Sequence, residues 1–225
     1  YVKNPMPRPV INGIVDKNVP IDSGEVIELM RAEDIANRII TAFDEVLSWA
    51  GKEKFTAPVL KHQVKTLRLP KKDFPKALVL EEQRKHAASM KERFKTGGDP
   101  ITMLVHNSRL ASRRRRMAAI ATRYEQVKKE PFLKTDVHVV RIGNIAFATN
   151  RFELFMDYMH RIQARSPFEQ TFIVQLCCGS GFYLPTEKAE KGGHYSAYIS
   201  SGNVGHQGGD LLVWQTLEEI NKLFL

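Results

Sequence analysis

Apolar residues recur at helical spacing from about Met30 to Trp49, where Ile35, Ile39, Phe43, Val46 and Leu47 share a face and Asp34, Arg38 and Asp44 interleave. This pattern predicts an amphipathic helix ended by Gly51. The period then changes. VLKHQVKTLRLP, residues 59–70, alternates and is rich in β-branched residues, which predicts a strand closed by Pro70. Strong helix formers follow from Lys76 to about Phe94, with Asp73 and Pro75 as the start signal, and TGGDP at 96–100 breaks that helix. A third helix, roughly Ile101 to Lys128, carries Leu110, Met117, Ile120, Tyr124 and Val127 as its apolar stripe.

Past Pro131 short strands replace long helices. VHVVRI at 137–142 and the apolar run ending at Thr149 flank Gly143-Asn144, a hairpin signal. Residues 152–164 have helical texture, TFIVQLCC at 171–178 reads as a buried strand, and DLLVWQTLEEINKLF at 210–224 reads as an amphipathic terminal helix. Residues 1–24 are rich in Pro, Gly and Asn without a period and read as an extended arm. No internal repeat is visible. The expected fold class is α/β, of the mixed α+β kind, as one unit over 1–225: the arm, a mainly helical part over 25–130, and a mixed sheet with flanking helices over 131–225.

Composition narrows the class without naming a chemistry. With 225 residues, 43% hydrophobic and 26% charged, the chain can bury a substantial core. Its net charge of +9 suits a phosphate-rich or membrane-surface partner. No apolar run approaches the roughly 20 residues a membrane helix needs, so no transmembrane segment is expected. Cys177 and Cys178 are adjacent on the strand expected at 171–178, which leaves them as buried free thiols. The chain opens at Tyr1 into YVKNPMPRPVING, and the expectation is a fragment or processed product of a longer protein.

The loudest local charge signal is Ser112 to Arg116, SRRRR. It lies within the third helix with no aromatic residues interleaved to stack bases, so it reads as a solvated or inter-domain helix face. A basic binding module for phosphate or nucleic acid is the alternative from another class. CGSGF at 178–182 invites a nucleophile reading of Ser180, but the elbow needs glycine two residues either side, and Cys178 and Phe182 stand there. The glycines at 179 and 181 are better explained as a tight backbone path that aims Tyr183. Seven histidines are scattered, and none pairs at HExxH spacing. His138 and His160 read as partly buried or interfacial, and His194 stands nearest the candidate chemistry.

Glu153, Tyr183 and Tyr195 each have an ordinary explanation: a first-turn glutamate favoured by the helix dipole, and two packing tyrosines. Their joint pattern says more. IGNIAFATNRFE supplies a strand and Glu153, YLPT supplies Tyr183 and Thr186 with Tyr183 following Glu153 by 30 residues, and GGHY supplies Tyr195 a further 12 on. This pattern resembles the catalytic core of the neutral/alkaline, non-lysosomal ceramidase family, over roughly residues 105–225, and ARSPFEQTFIVQL with the terminal helix is similar in character to bacterial ceramidase-like sequences. Phe152 stands where that family has a glycine, and nothing before Glu153 matches its two zinc-binding histidines or its serine segment.

The resemblance implies a zinc-dependent amidohydrolase that cleaves an N-acyl, lipid-type amide through a metal-activated water. It implies Glu153 and Tyr183 as zinc ligands, Tyr195 as the catalytic residue that donates to the developing oxyanion or holds substrate, and His194 as a substrate-binding residue. It also implies an upstream segment or partner that supplies the histidine ligands, and a secreted or periplasmic location. With two ligands of four, the 225-residue chain alone is expected to bind zinc poorly and to be catalytically silent.

Overall fold

A computed structural model describes residues 10–11, 14–15, 24–52, 54–193 and 195–225, with side chains from residue 31 onward. They fall into two compact units, Tyr1–Ala57 and Pro58–Leu225. In the first, β1 (Val10–Ile11) and β2 (Ile14–Val15) pair antiparallel, and α1 spans Gly24–Ala50. The remainder of the expected arm lies outside the described residues. The helix begins earlier than its apolar pattern and stops where expected, with Gly51 N–H donating to Leu47 O at 3.4 Å. Ile39, Phe43 and the rest of its apolar stripe are exposed.

The second unit is mixed α/β, as its pattern predicts. β3 (Leu60–Pro70), β4 (Phe132–Ile142), β5 (Ile145–Thr149) and β7 (Gln170–Val174) form one four-stranded sheet in the order β3-β4-β5-β7. The turn between β4 and β5 places Gly143 at φ 59°, a left-handed conformation that costs glycine little. β5 and β7 run parallel, because the chain crosses over through β6 (Glu153–Leu154) and α4 (Met156–Gln163) between them.

Strand alternation decides where the core sits. The register places Leu67, Leu69, Val137, Val139, Ala146 and Ala148 on one face. α6 (His206–Phe224) covers that face with Leu212, Val213, Leu217, Ile220 and Leu223. Buried Glu219 is tolerated because Gln63 Nε2 donates to it and Lys222 Nζ lies 2.9 Å away. The other face leaves Val64, Phe172 and Val174 exposed, with the Phe147 and Phe172 rings stacked at 5.0 Å.

α2 (Lys76–Met90) and α3 (Pro100–Lys129) form a helical hairpin. Asp99 caps α3 by accepting the Thr102 N–H at 2.7 Å. Asp73 does not cap α2. Its carboxylate takes the neighbouring Phe74 N–H, and the cap position holds Pro75, which has no side-chain acceptor. Leu110, Met117 and Ile120 are buried as the stripe predicts, and Ile120 forms a small cluster with Phe74 and Val79 that seats the hairpin.

Three expectations are corrected. Glu153 is not in a first helical turn: it lies in β6, and α4 starts only at Met156 after the extended Phe155. β7 ends at Val174, and it is an edge strand with only Thr171 buried. Cys177 and Cys178 therefore sit in the loop after it, half-buried and exposed, with their sulfurs 3.6 Å apart as free thiols.

Candidate functional site

The segment around Glu153 is held by backbone bonds to the loop that follows β7. Asn150 N–H donates to Val174 O, and Asn150 O accepts from Cys177 N–H, both at 2.9 Å. The buried Asn150 side chain accepts Phe152 N–H at 3.0 Å. Gly181 N–H donates to Arg151 O at 2.7 Å, and Glu153 N–H to Phe182 O at 3.0 Å. The outcome is a parallel pair between β6 and β8 (Tyr183–Leu184), with Glu153 and Tyr183 as register partners.

A size match makes this approach possible. Phe152 is fully buried, and a Cβ on Gly181 would lie 2.4 Å from its ring. The loop is strained as well: Leu176, Cys178 and Phe182 adopt φ of 56°, 59° and 58°, uncommon for residues with a side chain. Gly179 takes φ 133°, and Ser180 is exposed with its carbonyl accepting the Arg151 guanidinium at 2.8 Å. That bond engages the Ser180 backbone and not its hydroxyl.

Downstream, Pro185 is buried and accepts the Tyr158 hydroxyl at 2.8 Å. Burial pushes that hydroxyl well above the ordinary tyrosine range, with the negative charge of Asp210 adding to it. Thr186 caps α5 (Glu187–Gly192) by accepting Ala189 N–H at 3.3 Å. The YLPT segment thus has a structural part in Pro185 and Thr186, and a part in the cavity through Tyr183.

Glu153, Tyr183 and Tyr195 line one cavity of about 330 Å³. Tyr195 opens the 3₁₀ turn Tyr195–Ala197, and its ring meets Tyr183 edge-on with centroids 5.8 Å apart at 73°. Its backbone carbonyl accepts Ser201 Oγ at 2.6 Å, and its side chain is 61% exposed. The Glu153 carboxylate, by hydrogen bonding to the Tyr183 phenol, holds it above the usual tyrosine range, with burial and nearby negative charge adding to the shift. Gly202 backs the site, and Arg123 anchors that backbone by donating to Gly202 O at 2.9 Å and to Ile199 O. His194 lies outside the described residues.

The cavity has a further wall on α3. Ser112, Arg115 and Arg116 of α3 line the same cavity. Successive helical residues point about 100° apart, so four consecutive arginines cannot share a face. Arg113 pairs with Glu92, while Arg114 donates to Ser89 O and Glu92 O at 2.6 and 2.5 Å and lies over Phe94. Half of the run ties α3 to the end of α2, and half lines the cavity that holds the carboxylate and phenols. Angular spacing within SRRRR carried the signal that the run would divide, but which half would meet Glu153 depends on the packing of α3.

Among the described residues no group of three or more His, Cys, Asp or Glu is placed to hold a metal ion. Glu153 and Tyr183 offer two adjacent oxygen donors. Histidines do meet elsewhere: His62 and His138 stack at 5.3 Å, with Nε2 and Nδ1 3.1 Å apart, although they are 76 residues apart in sequence. His160 is exposed on α4. Among the described residues no helix is long and apolar enough to cross a membrane. Compared with family models, curated proteins and solved structures, the chain has no match.

Proposed function

We propose that this chain is the downstream part of a zinc-dependent amidohydrolase of the ceramidase-like kind, and that two imidazoles from another segment complete its site. The observation that carries this reading is the register pairing of Glu153 with Tyr183, with Tyr195 packed on Tyr183 in one cavity. A carboxylate is an ordinary zinc ligand, and the phenol beside it is the second oxygen donor that the resemblance places on the metal. When bound, zinc would supply an acidified water able to attack an amide carbonyl.

The chain's own residues supply binding and proton placement. The Glu153 carboxylate raises the pKa of the Tyr183 phenol, so a cation bound at these two oxygens would have to displace the phenol proton. Tyr195, exposed at the mouth, presents a hydroxyl that can donate to an oxyanion or hold the substrate. The alternative, a basic phosphate or nucleic-acid module, draws less support from the SRRRR turn, because Arg113 pairs with Glu92 and Arg114 donates to Ser89 O; its best footing is a separate cavity lined by Lys95, His106, Arg109, Arg113 and Arg116.

The test uses the complete gene product, with zinc content and amine release from a short-chain N-acyl substrate as readouts. Zinc near one per chain with turnover, both reduced in Glu153→Ala and Tyr183→Phe, is the expected result. A complete product that neither binds zinc nor cleaves the amide overturns the proposal. The 225-residue chain alone should show neither property, and one zinc per chain with amidase activity in it would overturn the incomplete-site reading.

A further inference from the structure

We infer that Arg116 recognises an anionic group on the ligand, so that this site takes amphiphiles carrying a carboxylate or phosphate. The placement of the scissile amide rests on the function proposed above, whereas anion recognition does not.

Arg116 stands at a seam. Together with Ser200 it lines both the cavity of Glu153, Tyr183 and Tyr195 and a larger groove of about 700 Å³. Leu78, Met117, Ile120 and Ile199 give that groove apolar surface able to hold an aliphatic segment. A ligand lying along both cavities passes Arg116 on its way from the apolar groove to the carboxylate and phenols.

The other cations of the groove are already engaged. Lys72 pairs with Glu190 at 3.0 Å and Lys85 with Glu82 at 2.8 Å. Lys191 pairs with Glu187 at 2.7 Å, and Arg113 with Glu92. Arg116 is half-buried and has no carboxylate partner among the described residues; its guanidinium lies 5.7 Å from the centre of the Tyr198 ring. A guanidinium packed on an aromatic face has a restrained plane and keeps its edge N–H donors for a planar oxyanion. Partial burial strengthens such a charge-assisted bond relative to one in open solvent. Arg115, exposed beside it, adds positive charge to the smaller cavity.

The test is binding by the full chain at fixed ionic strength, without added metal, of N-octanoylglycine, its methyl ester and inorganic phosphate. The acid should bind roughly tenfold or more tightly than the ester, because only the acid offers an oxyanion to the guanidinium fork. Inorganic phosphate should bind more weakly than the acid, for lack of an apolar segment. Arg116→Gln should abolish the preference for acid over ester, and Arg116→Lys should retain part of it. Equal binding of acid and ester, an unchanged preference in Arg116→Gln, or phosphate matching the acid each overturns the inference. If the variants melt below the wild type, the acid-to-ester comparison on the unaltered chain decides alone. No turnover is read, so failure of amide hydrolysis bears on the proposed function only, and equal binding of acid and ester bears on this inference only.

Discussion

Glu153 and Tyr183 are register partners in a parallel pair only two residues long, and the carboxylate holds the phenol pKa above its ordinary value. Residues 30 apart in sequence thereby meet in one cavity. The raised phenol pKa means that this contribution is present below the ordinary tyrosine value of about 10 and is lost as pH rises through the folded value. Glu153→Gln should therefore lower the pH at which Tyr183 ionises. Carbon-13 NMR of ring-labelled tyrosine, with Tyr183→Phe assigning the signal, reads it directly. An unmoved titration would show that the carboxylate does not raise the phenol pKa.

The arginine run should divide in its effect on stability. Arg114→Ala removes the donors that satisfy Ser89 O and Glu92 O, at a cost of about 1–2 kcal/mol. Arg115→Ala removes an exposed side chain with no structural partner among the described residues and should stay within about 0.5 kcal/mol. Urea unfolding of the two variants measures both, and equal losses would contradict the division.

Gly202 should resist any side chain. A Cβ there would lie 2.2 Å from the Tyr183 carbonyl oxygen, backbone that cannot swing aside without moving β8. Gly202→Ala should cost about 2 kcal/mol or more by overpacking. Gly97→Ala, where nothing lies within 4 Å of the added carbon, should be near neutral. Thermal melting of the pair is the measurement, and a stable Gly202→Ala would mean that β8 is not seated as described.

Glu190 should make the second unit acid-sensitive. Burial pushes its carboxyl up, but hydrogen bonds from His206 and Lys72, with their charges, outweigh burial and hold it below the ordinary carboxylate range. A depressed folded value contributes stability above the unfolded carboxyl pKa of about 4.5, lost as pH falls through the folded value. Glu190→Gln should be less stable than wild type at neutral pH, and the gap should narrow below about pH 4. Denaturation midpoints across that range test it, and a constant gap would assign the effect to packing.

Much of the fold is legible in local pattern. The helical period over 35–47, the alternation over 59–70 and the stripe from Leu110 to Val127 each mark an element, because side-chain direction within one helix or strand follows from residue spacing. The region from 150 to 182 was harder to read. Its apolar run suggests a longer buried strand, yet β7 stops at Val174 because the backbone groups of Asn150 engage Val174 and Cys177 and turn the chain toward β8. Glu153 looks like a helix-start glutamate for the same reason: its strand partner, Tyr183, is remote in sequence.

By itself the sequence determines the α/β class and the principal helices and strands, whereas the trio Glu153, Tyr183 and Tyr195 stands out only through the resemblance of its spacing to a family pattern. Only the tertiary structure decides that the trio shares a cavity, that Arg115 and Arg116 face it while Arg113 and Arg114 do not, and that Gly181 makes room for Phe152. The physical reason is range: periodicity orients side chains within one element, whereas a site joins several elements and depends on how their backbones pack.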